Sequence, residues 1–458
     1  MAKTGSNVKL EHVYRQTGWT LRRFAQEVNR LGTERGTPLK YREPSVHQWL
    51  KGHLPRENVR PLILEALARQ LHRPVTHAEA GFPKPTGKPN VRPSTVEGLV
   101  DLGRYDMDPS RRSVIGAGLF SVALTVPNWP DVVGRMEAVH SGRVQRVGMP
   151  DVHLVAAMTE RISELDDQFG GRHARPMAAA FLVNTVAPYL RADAPPPVRK
   201  AMLSAAADLC YLTGWMAVDE GTHAVAQQYY LKALELAGAA EDHLTFCTTL
   251  RGMSVQAVDL GHGRQAMRLA DAASAASPQA GPRMRAFLAG QQAHAAAQVG
   301  ERGRALKHLR EAEVAMEKAE SRAKALGSYD PAALQYHSGQ VRYEMGDTRG
   351  AIEALQQADR LREGVFRRTR VHKRALLAER QLSIGHLEAA CATWDQALDD
   401  YPLVQSGRAD DHMRTMLTLL RPHLRNRTAR ALHERAHTVV PGTQTARLHT
   451  AGGHRQHQ

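Results

Sequence analysis

The sequence predicts an all-α protein in two parts: a small basic helical module at the N-terminus and a long helical-repeat body behind it. Three observations carry this. Aromatic residues are only 5% of the 458-residue chain, and Ala, Leu, Arg and Gln dominate, a bias toward helix and against a sandwich or barrel. A glycine recurs at Gly221, Gly261, Gly300, Gly346 and Gly385, spaced 40, 39, 46 and 39. The formal charge of +15 is unevenly placed: residues 1–93 hold 17 Lys and Arg against 7 acidic residues, and the rest holds 44 against 39. A basic end on a nearly balanced body is the footprint of a nucleic-acid-binding module joined to a separate scaffold.

Residues 8–82 are helical in pattern. Thr20 is a good N-cap for a helix over 20–31, in which Leu21, Phe24, Ala25, Val28 and Leu31 form one apolar face. Arg22, Arg23, Gln26 and Arg30 lie elsewhere on it. A polar stretch from Gly32 to Arg42 leads to Glu43-Pro44-Ser45-Val46-His47-Gln48-Trp49-Leu50-Lys51-Gly52. Pro44 suits a first helical turn and Gly52 a left-handed cap. Val46, Trp49 and Leu50 point inward, leaving Ser45 and Gln48 outside. After Pro55 a further helix carries Leu62, Leu64, Leu67, Ala68 and Leu71.

Phe24-Ala25, Ser45-Val46…Trp49…Gly52, Pro55 and Ala66-Leu67-Ala68…Leu71 together resemble, over about residues 8–75, the helix-turn-helix family of phage-repressor (Xre) type. Two features differ from the family pattern: a connection of about eleven residues before the second of these helices, and Leu50 where an acidic residue is common. The resemblance implies binding to double-stranded DNA. Glu43, Ser45 and Gln48 fall on the family's base-reading positions, with Gln48 suited to a bidentate pair with adenine. Arg22, Arg23, Lys40, Arg42, Lys51 and Arg56 would hold phosphates.

Residues 83–130 read as a proline-rich linker followed by an apolar strap. Pro83, Pro85, Pro89, Pro93 and Pro109 each remove a backbone donor. Ser110-Arg111-Arg112-Ser113 and the apolar Val114 to Val126 imitate a twin-arginine export signal, but a folded basic module precedes them. Docking of this strap on the body is the expectation.

The body spans 131–435. Five residues after each recurrent glycine stands an alanine, Ala226, Ala266, Ala305, Ala351 and Ala390. Twelve after it stands another, Ala233, Ala273, Ala312, Ala358 and Ala397. Between them lie Tyr230, Ala270, Leu309, Leu355 and Trp394. The glycine turns the chain between paired helices, and two alanines seven residues apart let the partner helix approach closely. The pattern resembles the tetratricopeptide repeat with lengthened units, so the fold class is an N-terminal helix-turn-helix domain plus a tetratricopeptide-like α-solenoid. Such a solenoid takes a peptide or protein ligand, or pairs with itself as a homodimer. Gln256, Gln292, Gln340 and Arg374 are its candidate ligand contacts. Residues 409–435 suggest one capping helix, and 436–458 a disordered tail.

No catalytic motif stands out. Gly261-His262-Gly263-Arg264-Gln265-Ala266 imitates a dinucleotide fingerprint, but no strand precedes it. Asp166-Asp167 reads as a solvated acidic pair rather than a carboxylate dyad. Cys210, Cys247 and Cys391 are widely spaced, as expected of buried thiols in a reducing compartment. His449, His454 and His457 would bind metal only adventitiously. No catalytic residue, cofactor, resident metal, transmembrane segment or secretory signal is expected.

Module, linker and repeat body together resemble a family of actinobacterial regulators that includes streptomycete repressors of sporulation and antibiotic production. Gly214-Trp215 ahead of Asp219-Glu220-Gly221 adds to that likeness. It implies a cytoplasmic transcriptional regulator whose body senses a peptide, protein or small molecule, or dimerises. The alternative is an interaction scaffold whose basic head does not bind DNA.

Overall fold

The structure is a computed structural model of the chain, described here for residues 7–34, 39–71, 75–83, 94–107, 146–276, 280–319, 329–361 and 366–440. The described residues form twenty α-helices and no strand; Arg146 and Asp193 make one isolated bridge.

The head contains α1 (Val8–Gln16), α2 (Leu21–Glu34), α3 (Glu43–Leu50) and α4 (Arg60–Leu71). Its core gathers Leu10, Val13, Phe24, Val28, Leu31, Val46, Trp49, Leu62 and Leu67, and closes with Ala80 and Phe82. Phe24 is the hub, stacked on Tyr14 at 5.5 Å and met edge-on by Trp49 at 6.4 Å. Thr20 caps α2 by accepting from the Arg23 amide. Gly52, at φ +92°, ends α3 in the left-handed conformation that glycine adopts without a Cβ clash. Asn7 staples the two ends: its side chain accepts from Leu10 N–H and donates to the Ala80 carbonyl.

The long connection into α3 is pinned by one residue of α2. The Asn29 side chain donates to the Tyr41 carbonyl at 2.8 Å and accepts from the Tyr41 amide at 2.8 Å. The approach to α3 is therefore fixed from outside the turn itself.

The linker expectation for 83–130 is corrected at its centre. Thr95–Met107 is a helix, α5, with Val96, Leu99 and Val100 buried in the body's core. Asp106 forms a buried ion pair with Arg175 and accepts from the Tyr229 hydroxyl. Gly103 permits the contact, since a Cβ there would stand 2.5 Å from Val183. The apolar strap at 114–126 lies outside the described residues.

The body opens with α6 (Met149–Phe169), α7 (Gly171–Phe181), a π-turn (Leu182–Val186) and α8 (Ala187–Arg191). Five helix pairs follow. They are α9 (Pro196–Asp219) with α10 (His223–Ala239), α11 (His243–Asp259) with α12 (Gly263–Ala275), and α13 (Pro282–Gln298) with α14 (Arg302–Glu317). The last two are α15 (Pro331–Glu344) with α16 (Thr348–Arg360), and α17 (Arg367–Ser383) with α18 (Leu387–Asp400). The five recurrent glycines sit in the turns inside these pairs, all at positive φ between 71° and 86°. All ten register alanines are fully buried. Tyr230, Ala270, Leu309, Leu355 and Trp394 are buried between them. The dinucleotide-like run is the turn from α11 into α12. By length and composition α9 could cross a membrane, but most of it is buried among its neighbours as the central helix of the core.

A 3-10 turn at Tyr401–Leu403 contains Pro402, and the last described residues form two helices, α19 (Gly407–Leu420) and α20 (Arg427–Val439), rather than one cap. Ala436 and Val440 are buried, so the tail expected from 436 is ordered through 440. The tail histidines lie outside the described residues.

The solenoid does not stay open. The α6–α7 junction meets the chain between α18 and α19: Gln405 N–H donates to the Phe169 carbonyl at 2.6 Å, and Arg172 N–H donates to the Gln405 carbonyl at 3.1 Å. Arg172 also bridges Glu220 and Asp410, the Gly407 amide donates to Glu220, and Arg408 pairs with Asp259 at 2.6 Å. The first and last elements of the body thus close on one another.

Candidate functional site

On the head, the structure places Glu43 and Gln48 on the exposed side of α3, with Ser45 half-buried beside them. That face exists because Val46 and Trp49, at the intervening positions, are buried in the core, where Phe24 and Tyr41 meet the Trp49 ring edge-on. Arg22, Lys40, Arg42, Lys51 and Arg56 are exposed. Arg23 is exposed as well but committed: Glu27 holds it at 2.7 Å and takes Arg30 at 2.8 Å. Its expected phosphate role would require breaking that pair.

The body presents a second site, its lumen. The first helices of successive pairs largely touch one another while the second helices scarcely do, so the first helices make the inner layer. Of the four expected ligand contacts, three are used by the fold. Gln256 is fully buried and donates to the His223 carbonyl, Gln292 donates to Asp271, and Arg374 pairs with Asp359 and Asp400. They point toward outer helices. Gln340 is half-buried, and its side-chain oxygen has no hydrogen-bond partner.

The inner-helix positions that sequence reasoning missed stand ten ahead of the turn glycines, at Tyr211, Arg251, Gly290, Tyr336 and Ala375, all buried but Tyr336, and six ahead, at Trp215, Val255, His294, Gln340 and Glu379, all half-buried but the buried His294. The same alignment that exposed the alanines would have found them. It also shows a small residue seven ahead of each turn, Gly214, Ser254, Ala293, Gly339 and Ala378. A Cβ on Gly214 would stand 2.8 Å from the Tyr230 ring, and one on Gly339 2.9 Å from Leu355, so these positions set how closely each pair packs.

Hydrogen bonds link the inner helices. The Tyr336 hydroxyl meets His372 at 3.3 Å, His372 meets His412 at 2.8 Å, and His412 meets Glu379 at 2.9 Å. Burial pushes His372 well below the usual histidine range, helped by the charge of Arg408. Among the described residues three cations lie over aromatic rings: Arg251 on Phe287 at 4.0 Å, Lys373 on Tyr336 at 4.7 Å and Arg380 on Tyr343 at 3.4 Å. Asp259 and Arg408 keep 35% and 20% of their side-chain surface open, although burial is the largest influence on the ionisation of both. Among the described residues no group of three or more His, Cys, Asp and Glu could hold a metal ion.

The acidic pair at the end of α6 is neither solvated nor a dyad. Asp166 is 2% exposed and bonds Arg368 at 2.9 Å; Asp167 takes the same guanidinium at 3.2 Å, and Asp219 faces it at 3.8 Å. Burial raises the Asp166 carboxyl to about 7 against the pull of Arg368, with Asp219, Asp167 and Glu220 adding to the rise. The folded chain therefore keeps a proton that the unfolded chain releases at a lower pH. The stability this group contributes is complete below the ordinary carboxylate pKa and is lost as pH rises through about 7. Asp166→Asn should therefore lose less melting temperature than the unsubstituted chain when the two are compared between about pH 5.5 and about pH 8.5. Equal losses would refute this.

Three comparisons bear on the chain. Residues 10–83 match a family described as the SP15 N-terminal domain, the stretch from α1 to the residues that close the head's core. No curated protein matches the chain. Among solved structures the chain is similar to one described as Rap protein complexed with competence and sporulation factor, 16% identical, covering 64% of this chain and 88% of that one at a TM-score of 0.40. A likeness that distant carries no argument about function.

Proposed function

We propose that the chain is a cytoplasmic, non-enzymatic DNA-binding regulator of the Xre-like type, in which the head reads duplex DNA and the repeat body receives a signal. The observation that carries it is the exposed face of α3. Glu43, Ser45 and Gln48 lie along an eight-residue helix held by Trp49, with Lys40, Arg42, Lys51 and Arg56 around it. In this reading the helix enters the major groove, Gln48 pairs with adenine, and the flanking cations track phosphates. A body that pairs two chains would set the spacing of two heads on a two-fold site.

Random-site DNA selection with the full chain tests the reading, and an enriched motif is expected. Gln48→Ala should cost about 1–3 kcal/mol at one base position of that motif. Arg42→Ala should weaken all sites alike and lower the salt slope by about 1. Absence of an enriched motif would favour the alternative, an interaction scaffold. The pairing of both Arg23 and Arg30 with Glu27 lends that alternative some support, because it withdraws cationic charge from the head's surface.

A further inference from the structure

Arg251, on α11, is the more deeply buried of two inner-layer arginines, with Arg380, that stack on an aromatic ring and leave Nε without a hydrogen-bond partner. Arg368, Arg374 and Arg408 each meet a carboxylate. Arg251 is 8% exposed, forms no ion pair among the described residues, and its Nε has no hydrogen-bond partner. Around it stand the Phe287 ring under the guanidinium plane, the Tyr211 hydroxyl in hydrogen-bond contact, the Tyr230 and Tyr329 hydroxyls, and His294 and His337. Asp259, which feels its charge, is held by Arg408. The Tyr230 hydroxyl is also buried without a partner. Gly290 makes the arrangement, since a Cβ there would stand 2.3 Å from the Tyr329 hydroxyl and 2.4 Å from His337.

We propose that Arg251 and the aromatic side chains around it form an anion site in the lumen, taking the carboxylate of a ligand whose body is apolar or aromatic. A buried guanidinium without a counter-ion is destabilising, and an incoming carboxylate relieves that penalty. Stacking on Phe287 covers the guanidinium face and the Tyr211 hydroxyl hydrogen-bonds the group, while Nε is left without a partner for an incoming carboxylate oxygen. The Tyr230 hydroxyl supplies a further donor, and Phe287, Tyr211 and Tyr329 supply apolar walls. Burial and the charge of Arg251 hold His294 down to about 4 and His337 well below the usual range, so both stay neutral and Arg251 sets the sign of the site.

The inference deepens the reading of the body as a receptor and stands apart from DNA recognition. The test uses the full chain, with calorimetric titration and thermal melting against three probes: salicylate, N-acetyl-Leu-Phe as the free acid, and the same dipeptide as its C-terminal amide. At least one acid is expected to bind and raise the melting temperature, while the amide binds at least about tenfold more weakly. Binding of the dipeptide acid alone would mark a peptide terminus as the source, and binding of salicylate a small acid. Arg251→Met should lose about tenfold or more in acid affinity, yet melt no lower than the unsubstituted chain without ligand, because an uncompensated charge has been removed. The proposal is overturned if neither acid binds, if acid and amide bind alike, or if Arg251→Met melts markedly lower. DNA binding measured alongside separates the two readings: failure at the head with intact acid binding leaves this site standing, and the converse removes it alone.

Discussion

Gly170→Val opens the closed body. Gly170 lies at φ +91° and ψ 164°, a region that side-chain-bearing residues occupy only under strain, worth about 1–3 kcal/mol. A Cβ there would stand 2.4 Å from the Gln405 carbonyl oxygen, and the obstacle is backbone. The two hydrogen bonds joining Gln405 to Phe169 and Arg172 would break, at about 1 kcal/mol each. The sum, about 3–5 kcal/mol, falls on one contact. We expect a lower melting temperature, a larger radius of gyration by X-ray scattering and new proteolytic cleavage near 404–407. Gly221→Ala is the control: its φ is +71°, but nothing lies within 4 Å, so only a backbone cost of about 1–2 kcal/mol applies and the dimensions stay unchanged. Equal scattering for Gly170→Val and the unsubstituted chain would refute the role of the Gln405 contact and leave the closure to the ion pairs of Arg172, Arg368 and Arg408.

Trp394→Ala removes the largest fully buried side chain of the described residues. It stands between the register alanines of α18, in a core cluster that also holds Ala390, Ala397, Leu398 and Met413. Its indole N–H has no hydrogen-bond partner, so the loss is one of packing. The expected cost is about 3–5 kcal/mol in denaturant unfolding, with Trp394→Phe recovering part of it. A cost under about 1 kcal/mol would mean the site collapses freely around the gap.

The repeat body was legible because a turn glycine and two alanines are local requirements, repeated five times in one register. The closure was not, since Arg368 and Asp166 are 202 residues apart and belong to no motif. Taken alone, Asp166-Asp167 carries only the signature of a surface. Helix α5 was hidden behind its flanking prolines, although a signal was present. Ser94 and Glu97 form a capping box, each side chain accepting from the other's amide at 3.2 Å. Gln256 and Gln292 misled because polarity on an inner helix says nothing about whether an outer helix consumes it. In the head, the apolar spacing of α2 and α3 was readable, while the Asn29 clamp joins residues 12 apart across a loop and needed three dimensions.

A stack of repeats with free ends tolerates gain or loss of a unit, because each unit touches only its neighbours. This chain has given up that freedom. Duplicating or deleting one helical hairpin would carry Arg368 and Gln405 away from Asp166 and Phe169, so the number of hairpins is locked by geometry rather than left to drift. Melting should likewise propagate around the whole circuit instead of fraying inward from either terminus.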